Sequence, residues 1–470
     1  MRKVWAALTG CGLGVAMAIA PIGFTGTARA DNMADALVGA YNTSGLLEQN
    51  RALLRAADEG VAQSVSLLRP ILAWSASASR TAGDLTINGI NAAQETSPLN
   101  LQLTLSLLLF DFGATQQNIN SAKQTVLATQ QTLISVEQQV LYAAVSAYLN
   151  LLLAQEYVGV QRNNLNVLQE QLKATQDRFD VGAVTRTDVA LAQSQLAAAQ
   201  SSLESARGDL LDAQAAYEAA VGHLPTSAAG FPPLPSRPDS VDKAISVALT
   251  NHPNILSSQY QIKAADYSVA QAQRSLRGEF ALSGSAGVGT NLDLDRDVNT
   301  GTISLGYNQT IYQGGGLSAT IRRAKANRDA AKGALITSQR NVVQGVRNAY
   351  EAISVARANI SATNQQVEAA SVAAEGLREE AKLGSRTTLD VLTAEQDLLD
   401  AQIDQITARI GLYTASYQLL QAQGLLTAAN LRLPVTIYDP NAYYNLAKTA
   451  PTNLSKRGKQ LDQVLQRLGK

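Results

Sequence analysis

The chain is 470 residues long, enough for two or three globular domains, yet only 5% of it is aromatic and Ala, Leu, Val, Gln and Ser dominate. That composition suits long packed helices better than a thick core. Its 38 basic residues balance 38 acidic ones, so bulk attraction to nucleic acid is excluded as a driving force.

Residues 1–30 read as a secretory signal peptide. Arg2 and Lys3 precede an apolar stretch ending near Ala20, and Ala28-Arg29-Ala30 supplies a small-x-small cleavage pattern. A permanent membrane helix is the alternative, disfavoured by the short stretch and by Gly10, Gly12 and Gly14. Cys11 is the only cysteine, and Leu8-Thr9-Gly10-Cys11 resembles a lipoprotein box with very few residues ahead of it, so its lipidation stays open. Cleavage after Ala30 leaves no thiol, which excludes disulfides, thiolate metal sites and cysteine catalysis.

Further along, Leu72, Trp74, Ala76 and Ala78 alternate with small residues. After a loop between Gly83 and Pro98, Leu101, Leu103, Leu105 and Leu107 alternate with Asn100, Gln102, Thr104 and Ser106. Period two over about ten residues is the signature, and the length, of a bilayer-spanning strand. A soluble hairpin packed on helices is the competing reading. From Gly113 to Arg178 there is no proline, and apolar steps of four and three run through Leu141, Val145, Tyr148 and Leu152, then Leu165, Leu168 and Leu172. This is a coiled-coil seam, on a helix roughly 100 Å long at 1.5 Å per residue. Phe179-Asp180-Val181-Gly182 ends it with a left-handed glycine cap. A second helix, with Thr187 near its start, runs back to Gly222.

Pro225, Pro232, Pro233, Pro235 and Pro238 mark a linker, and the pattern then repeats. Phe110, Gly113, Lys123, Tyr148, Gly182, Asp188 and Gly222 return about 202 positions later as Tyr312, Gly315, Lys325, Tyr350, Gly384, Asp390 and Gly424. Ala56-Ala57-Asp58 returns about 208 positions later as Ala264-Ala265-Asp266, so the slip falls in the Gly83–Pro98 loop. The second copy has its own alternating segments, through Phe280, Leu282, Ala286 and Val288 and through Ile303, Leu305, Tyr307 and Ile311. A proline-free run from Leu317 to Lys382, a turn at Leu383-Gly384 and a helix from about Thr388 complete it. The organisation is thus a first repeat over 31–230, a second over 231–424, and a tail over 425–470 that could be flexible.

The fold class is mainly α with membrane β: duplicated long helical hairpins plus four strands per chain. Four strands cannot close a membrane barrel, since the smallest use about eight. An open edge in lipid would leave backbone groups unpaired at several kcal/mol each. The missing strands must come from copies of the chain, two giving eight and three giving twelve.

These motifs resemble the TolC family of outer-membrane efflux and secretion channels, across essentially the whole mature chain. The duplicated turn from Val181 to Val189, with Leu383 replacing Val in the second copy, carries the resemblance. So do Ala248-Leu249-Thr250-Asn251-His252-Pro253 and Tyr312-Gln313-Gly314-Gly315. Leu37-Val38-Gly39-Ala40-Tyr41 keeps the opening of the first copy, with Ser44-Gly45 where Asn-Pro is usual. The resemblance implies a homotrimer with a twelve-strand transmembrane β-barrel, a periplasmic α-barrel and no cofactor. It also implies a periplasmic adaptor docked at Val181, Gly182, Leu383 and Gly384, and an inner-membrane transporter of ABC or RND type. The tapered entrance would be latched by Arg386 against Thr187 and Asp188, and ringed by Asp390, whose three carboxylates would raise one another's proton affinity. Ala381 stands in place of a latch tyrosine, and Thr393 in place of a second entrance acid.

Plainer readings remain. Arg386 could be a solvated charge near a helix cap, and Asp188 and Asp390 favourable charges at helix N-termini. His223 and His252 lie in loops without a nucleophile–base spacing, so no enzyme is indicated. Asp293, Asp295 and Asp297 start like a calcium loop, but Val298 stands where its glycine should be. The Leu54–Val61 region generally resembles type I secretion members, which favours a protein-secretion duct. Small-molecule efflux and a structural coiled-coil stalk without a conduit are the alternatives.

Overall fold

The computed structural model describes residues 31–468 apart from 88, 226, 292, 294 and 295. The expected signal peptide with Cys11, and Asp295 of the apparent calcium loop, lie outside the described residues. α1 (Met33–Thr43) starts at an Asn32–Asp35 capping box, and Ser44 caps α2 (Gly45–Ser66) by accepting from the Leu47 amide. The chain then forms β1 (Ile71–Ala78), β2 (Thr81–Ile87), β3 (Ile90–Thr96) and β4 (Pro98–Phe110). The helical hairpin of α3 (Ala114–Asp180) and α4 (Arg186–Val221) comes next. The second repeat returns the same order with α5 (Val241–Asn251), α6 (Pro253–Arg274), β5 (Glu279–Asn291), β6 (Arg296–Asn308), α7 (Gly316–Lys382) and α8 (Thr388–Ala422). Corresponding helices keep their lengths: 11 residues in α1 and α5, 22 in α2 and α6, 67 in α3 and α7. The Gly83–Pro98 loop, where the repeat slips, is a two-stranded ribbon of β2 and β3.

The main sheet has the order β1-β4-β5-β6, so the two copies join through β4 and β5. Its antiparallel register explains the alternation in the sequence. Trp74 lies opposite Leu103, which lies opposite Ala286, which lies opposite Gly301; one step along, Leu72, Leu105, Gly284 and Ile303 align. Residues directly opposite share a face, so all four strands put their apolar set on one side. The other side carries Ser75, Gln102 and Thr300, and the Ser283 and Ser304 hydroxyls bond there at 2.7 Å. One face is made for lipid and the other for water. A bulge between Leu108 and Phe110 interrupts the register as β4 leaves the sheet for α3. β1 and β6 are free edges within one chain.

The long seam packs as its spacing predicts. Leu141, Val145, Tyr148 and Leu152 are each 0–2% exposed, in a core shared with α1, α2 and α4. Each such side chain is worth about 1.5–3 kcal/mol of burial. Tyr148 and its repeat partner Tyr350 both donate their hydroxyls to the Pro-rich linker, Tyr148 to Gly230 O at 2.7 Å and Tyr350 to Asp239 O at 3.2 Å. The duplication therefore clamps its own connection at both ends.

The tail departs from the flexible expectation because it has somewhere to bury its apolar residues. Leu426 and Ala428 enter the first-repeat core, and Leu431, Leu433 and Val435 pack against it. The Glu137 carboxylate accepts the Ala428 amide at 2.7 Å. α9 (Pro440–Ala447) then lies on α2, where the Tyr443 hydroxyl donates to Glu59 at 2.8 Å. α10 (Lys456–Leu468) rests Leu461 and Val464 against α9. These apolar pieces are too short and irregular for a periodicity argument, which is why the sequence did not reveal them. Under α9, Asp58 is fully buried and neither of its oxygens finds a hydrogen-bond partner among the described residues. Burial, with Glu59 beside it, pushes its pKa up to about 7.

Candidate functional site: the paired hairpin turns

The two hairpins turn by the same mechanism. Gly182 and Gly384 adopt φ of 77° and 79°, the left-handed region that an L side chain resists. The backbone bonds match: Gly182 N–H to Phe179 O and Ala183 N–H to Arg178 O, then Gly384 N–H to Ala381 O and Ser385 N–H to Glu380 O. Each return helix opens on a reciprocal capping box. The Thr185 hydroxyl accepts from the Asp188 amide while the Thr185 amide donates to the Asp188 carboxylate, and Thr387 and Asp390 repeat this. Sequence reasoning placed Thr187 and Thr388 near these starts and missed the caps themselves. The Thr-x-x-Asp spacing, Thr185 to Asp188 and Thr387 to Asp390, was the available signal.

Capping fixes the electrostatics of a single chain. The Thr185 hydroxyl and amide hold Asp188 below the usual carboxylate range, and the Thr388 hydroxyl from the second hairpin adds to this. The Thr387 amide and hydroxyl likewise hold Asp390 low. That is opposite in sign to the expected mutual repulsion, because a cap stabilises the anion locally whereas repulsion requires neighbouring chains. Arg386 differs from expectation too. Its Nε donates to Glu380 at 2.8 Å, not to Thr187 or Asp188, and that bond with its charge holds the guanidinium proton more firmly. Glu380 lies across the same tight turn, so this pair forms without the first hairpin.

What joins the two tips inside one chain is mostly apolar. Leu392 packs with Leu168 and Ala199, and Thr388 is buried beside Asp188. Just above, Glu395 is buried and paired with Arg378 across the second hairpin, an ion pair that sequence reasoning did not identify. Ala381, in place of the family tyrosine, lines a cleft of about 260 Å³ with Glu170, Gln171, Arg178 and Arg378. Thr393 donates to Leu389 O of its own helix. Val181 and Leu383 project from the turns at 79% and 87% exposure.

The histidines serve structure. His252 Nδ1 accepts the Asn254 amide at the start of α6, and burial lowers its pKa, so the neutral ring caps the helix. His223 Nε2 lies 3.1 Å from the Asp31 carboxylate, which also accepts from Tyr217. Among the described residues no cluster of His, Cys, Asp and Glu could hold a metal ion.

Residues 40–223 and 244–425, the two repeats, match the family described as outer membrane efflux protein. The chain belongs to that family. It is the TolC family of the sequence resemblance. The outer membrane efflux protein BepC of Brucella suis biovar 1 (strain 1330) is 34% identical over 90% of this chain and 91% of its own length. The alkaline protease secretion protein AprF of Pseudomonas aeruginosa is 27% identical over 70% of each chain. Among solved structures, the Campylobacter jejuni CmeC outer membrane channel superposes with a TM-score of 0.75 at 18% identity, covering 90% of each chain. This family member is therefore an outer-membrane export channel with a large periplasmic helical part. Its fold is that of trimeric channels with an α-barrel and a β-barrel. Channels of the family work with adaptor and inner-membrane transporter partners. A stalk without a conduit is set aside.

Proposed function

We propose that this channel is the passive exit duct of a tripartite type I protein-secretion system. Three copies close a twelve-strand barrel through the free edges of β1 and β6, which lipid would otherwise leave unpaired. A periplasmic adaptor, bringing an inner-membrane ABC transporter, docks at Val181, Gly182, Leu383 and Gly384. The observation that carries the docking is the pair of exposed apolar residues on two equivalent, rigidly capped turns at the far end of the hairpins. Protein cargo is favoured by the likeness to a protease secretion protein and by the Leu54–Val61 region. A small-molecule duct served by an RND transporter is the second reading, favoured by the likeness to BepC, named an efflux protein.

In the assembled ring, Arg386 latches the entrance by exchanging Glu380 for Thr187 and Asp188 of the first-copy turn, and three Asp390 carboxylates attract cations. Single-channel recording in planar bilayers tests both roles. Arg386→Ser should raise resting conductance, and Asp390→Asn should weaken cation preference and block by multivalent cations without loss of assembly. Unchanged conductance and selectivity in both variants would place entrance control elsewhere. Complementation of a type I substrate against a small-molecule substrate, in cells lacking the channel, separates the two cargo readings.

A further inference from the structure

The tail does more than cover a core: it climbs α2 toward the membrane. Three contacts give its course. The Arg51 guanidinium sits 5.3 Å from the Tyr438 ring centre, Tyr443 bonds Glu59, and both Arg69 Nη atoms bond the carbonyls of Thr449 and Ala450. From Arg51 to Ser66, where α2 ends three residues before Arg69, is a rise of roughly 22 Å along the helix. Arg69 precedes β1 by one residue, Pro70, and the apolar sheet face begins with Leu72. Residues 449 and 450 are thus held at the level where the chain enters the bilayer from the periplasmic side.

The segment around and beyond that level has the composition of an interfacial anchor. Lys448, Lys456, Arg457 and Lys459 are all exposed, and Asp462 is the one acid between 448 and 466. Arg457 also bonds the Thr449 hydroxyl at 3.2 Å, which holds the start of α10 beside Arg69. Leu454, at the tip of the loop between α9 and α10, is 90% exposed, and Leu67 and Leu68 are exposed just ahead of Arg69. An exposed leucine among cations is costly in water and suited to a headgroup layer, where the side chain dips into the acyl boundary and the cations meet phosphates.

We infer that residues 448–459 form a membrane-surface anchor that binds anionic phospholipid in the periplasmic leaflet around the barrel. The strap along α2 sets its height, and α9 holds α10 in place through Leu461 and Val464. Each basic residue near an anionic surface contributes about a five-fold gain in lipid association, so loss of three positive charges removes about a hundred-fold and their reversal to Glu removes more.

Spin labels on the full-length channel, reconstituted in vesicles, test this by comparing collisions with oxygen and with a water-soluble nickel chelate. Leu454→Cys should read as interfacial in vesicles containing phosphatidylglycerol, and markedly more aqueous in phosphatidylcholine alone or when Lys456, Arg457 and Lys459 are changed to Glu. Ile303→Cys on the apolar sheet face gives the lipid reference. Ile437→Cys, exposed on the lower strap, gives the aqueous one. An aqueous signal at Leu454 in anionic vesicles, alongside a lipid signal at Ile303, would overturn the inference. So would an interfacial signal indifferent to both lipid charge and the reversals.

Discussion

The two long helices α3 and α7 have equal length and echo one another in sequence, yet a single chain buries twenty residues of α3 and only eight of α7. The difference lies in their surroundings. α3 contacts α1, α2, α4, α6 and α8, whereas α7 is contacted by α5, α6 and α8. On α7, Ile336, Val355 and Val372 remain exposed, the last at 69%. α3 is enclosed because it lies between the two repeats, and α7, on the outer side, presents an apolar surface suited to a neighbouring copy. Duplication supplied two equal long helices, and their places, one between the repeats and one outside them, made their burial unequal.

The largest expected effect breaks the first repeat. Val145→Asp places a carboxylate in a fully buried seam with no partner, costing several kcal/mol. Mature protein should fall to trace abundance in the outer membrane. Val355→Asp, on the exposed part of α7, should leave helix content and single-chain folding intact while reducing trimer recovery on mass measurement. Equal losses of folding in both variants would remove the distinction between an enclosed helix and an outer one.

Asp58 and its repeat partner Asp266 sharpen the same contrast. Asp58 is sealed beneath the tail and Asp266 is not fully buried, because nothing equivalent to α9 covers α6. Glu59, Tyr438, Tyr443 and Tyr444 face the Asp58 carboxyl, and Arg55 faces Tyr438 and Tyr443. Its folded pKa, about 7, lies above the unfolded value near 3.8, so the folded state holds a proton that the unfolded state releases. Stability contributed by this group is present at low pH and is lost as pH rises from about 4 through 7. Asp58→Asn should remove that slope and raise stability above pH 7 by up to a few kcal/mol, on the order given by the shift. Asp266→Asn should do nothing comparable. Thermal unfolding followed by circular dichroism between pH 5.5 and 8.5 checks both. A wild-type slope retained by Asp58→Asn would mean that another group titrates.

The contrast between the repeats also shows which features a sequence can disclose. The repeat, the strand alternation and the Leu141–Leu152 seam were legible because each is a periodic pattern read out by a regular backbone. The turns were legible because only glycine accepts the φ of Gly182 and Gly384 cheaply. The tail was not, since Leu426, Ala428 and Tyr443 find their partners about 300 to 400 residues away, at Glu137 and Glu59, with no period to betray it. At the entrance, the resemblance pointed to Arg386 but could not foresee Glu380 across its own turn. Asp390 was legible as a charge near a helix start, and its capping role needed Thr387 to be recognised first.

The smallest expected effect concerns the linker clamps. Tyr148→Phe removes a hydroxyl that donates at 2.7 Å to Gly230 O, and Tyr350→Phe removes one at 3.2 Å from Asp239 O. Each net hydrogen bond is worth about 1 kcal/mol, and more where the abandoned carbonyl stays buried. Tyr148 is fully buried in the core around α3, so its loss leaves Gly230 O without that donor. Tyr350 lies under the Arg237 guanidinium, 3.9 Å from its ring centre, a cation–π contact that phenylalanine retains. Tyr148→Phe should therefore cost about 1–2 kcal/mol and Tyr350→Phe less than about 1. Denaturant midpoints of the two variants, measured side by side in detergent, give the ratio. If Tyr350→Phe proves the more damaging, the second clamp holds the linker, and the core around Tyr148 is not where the connection is anchored.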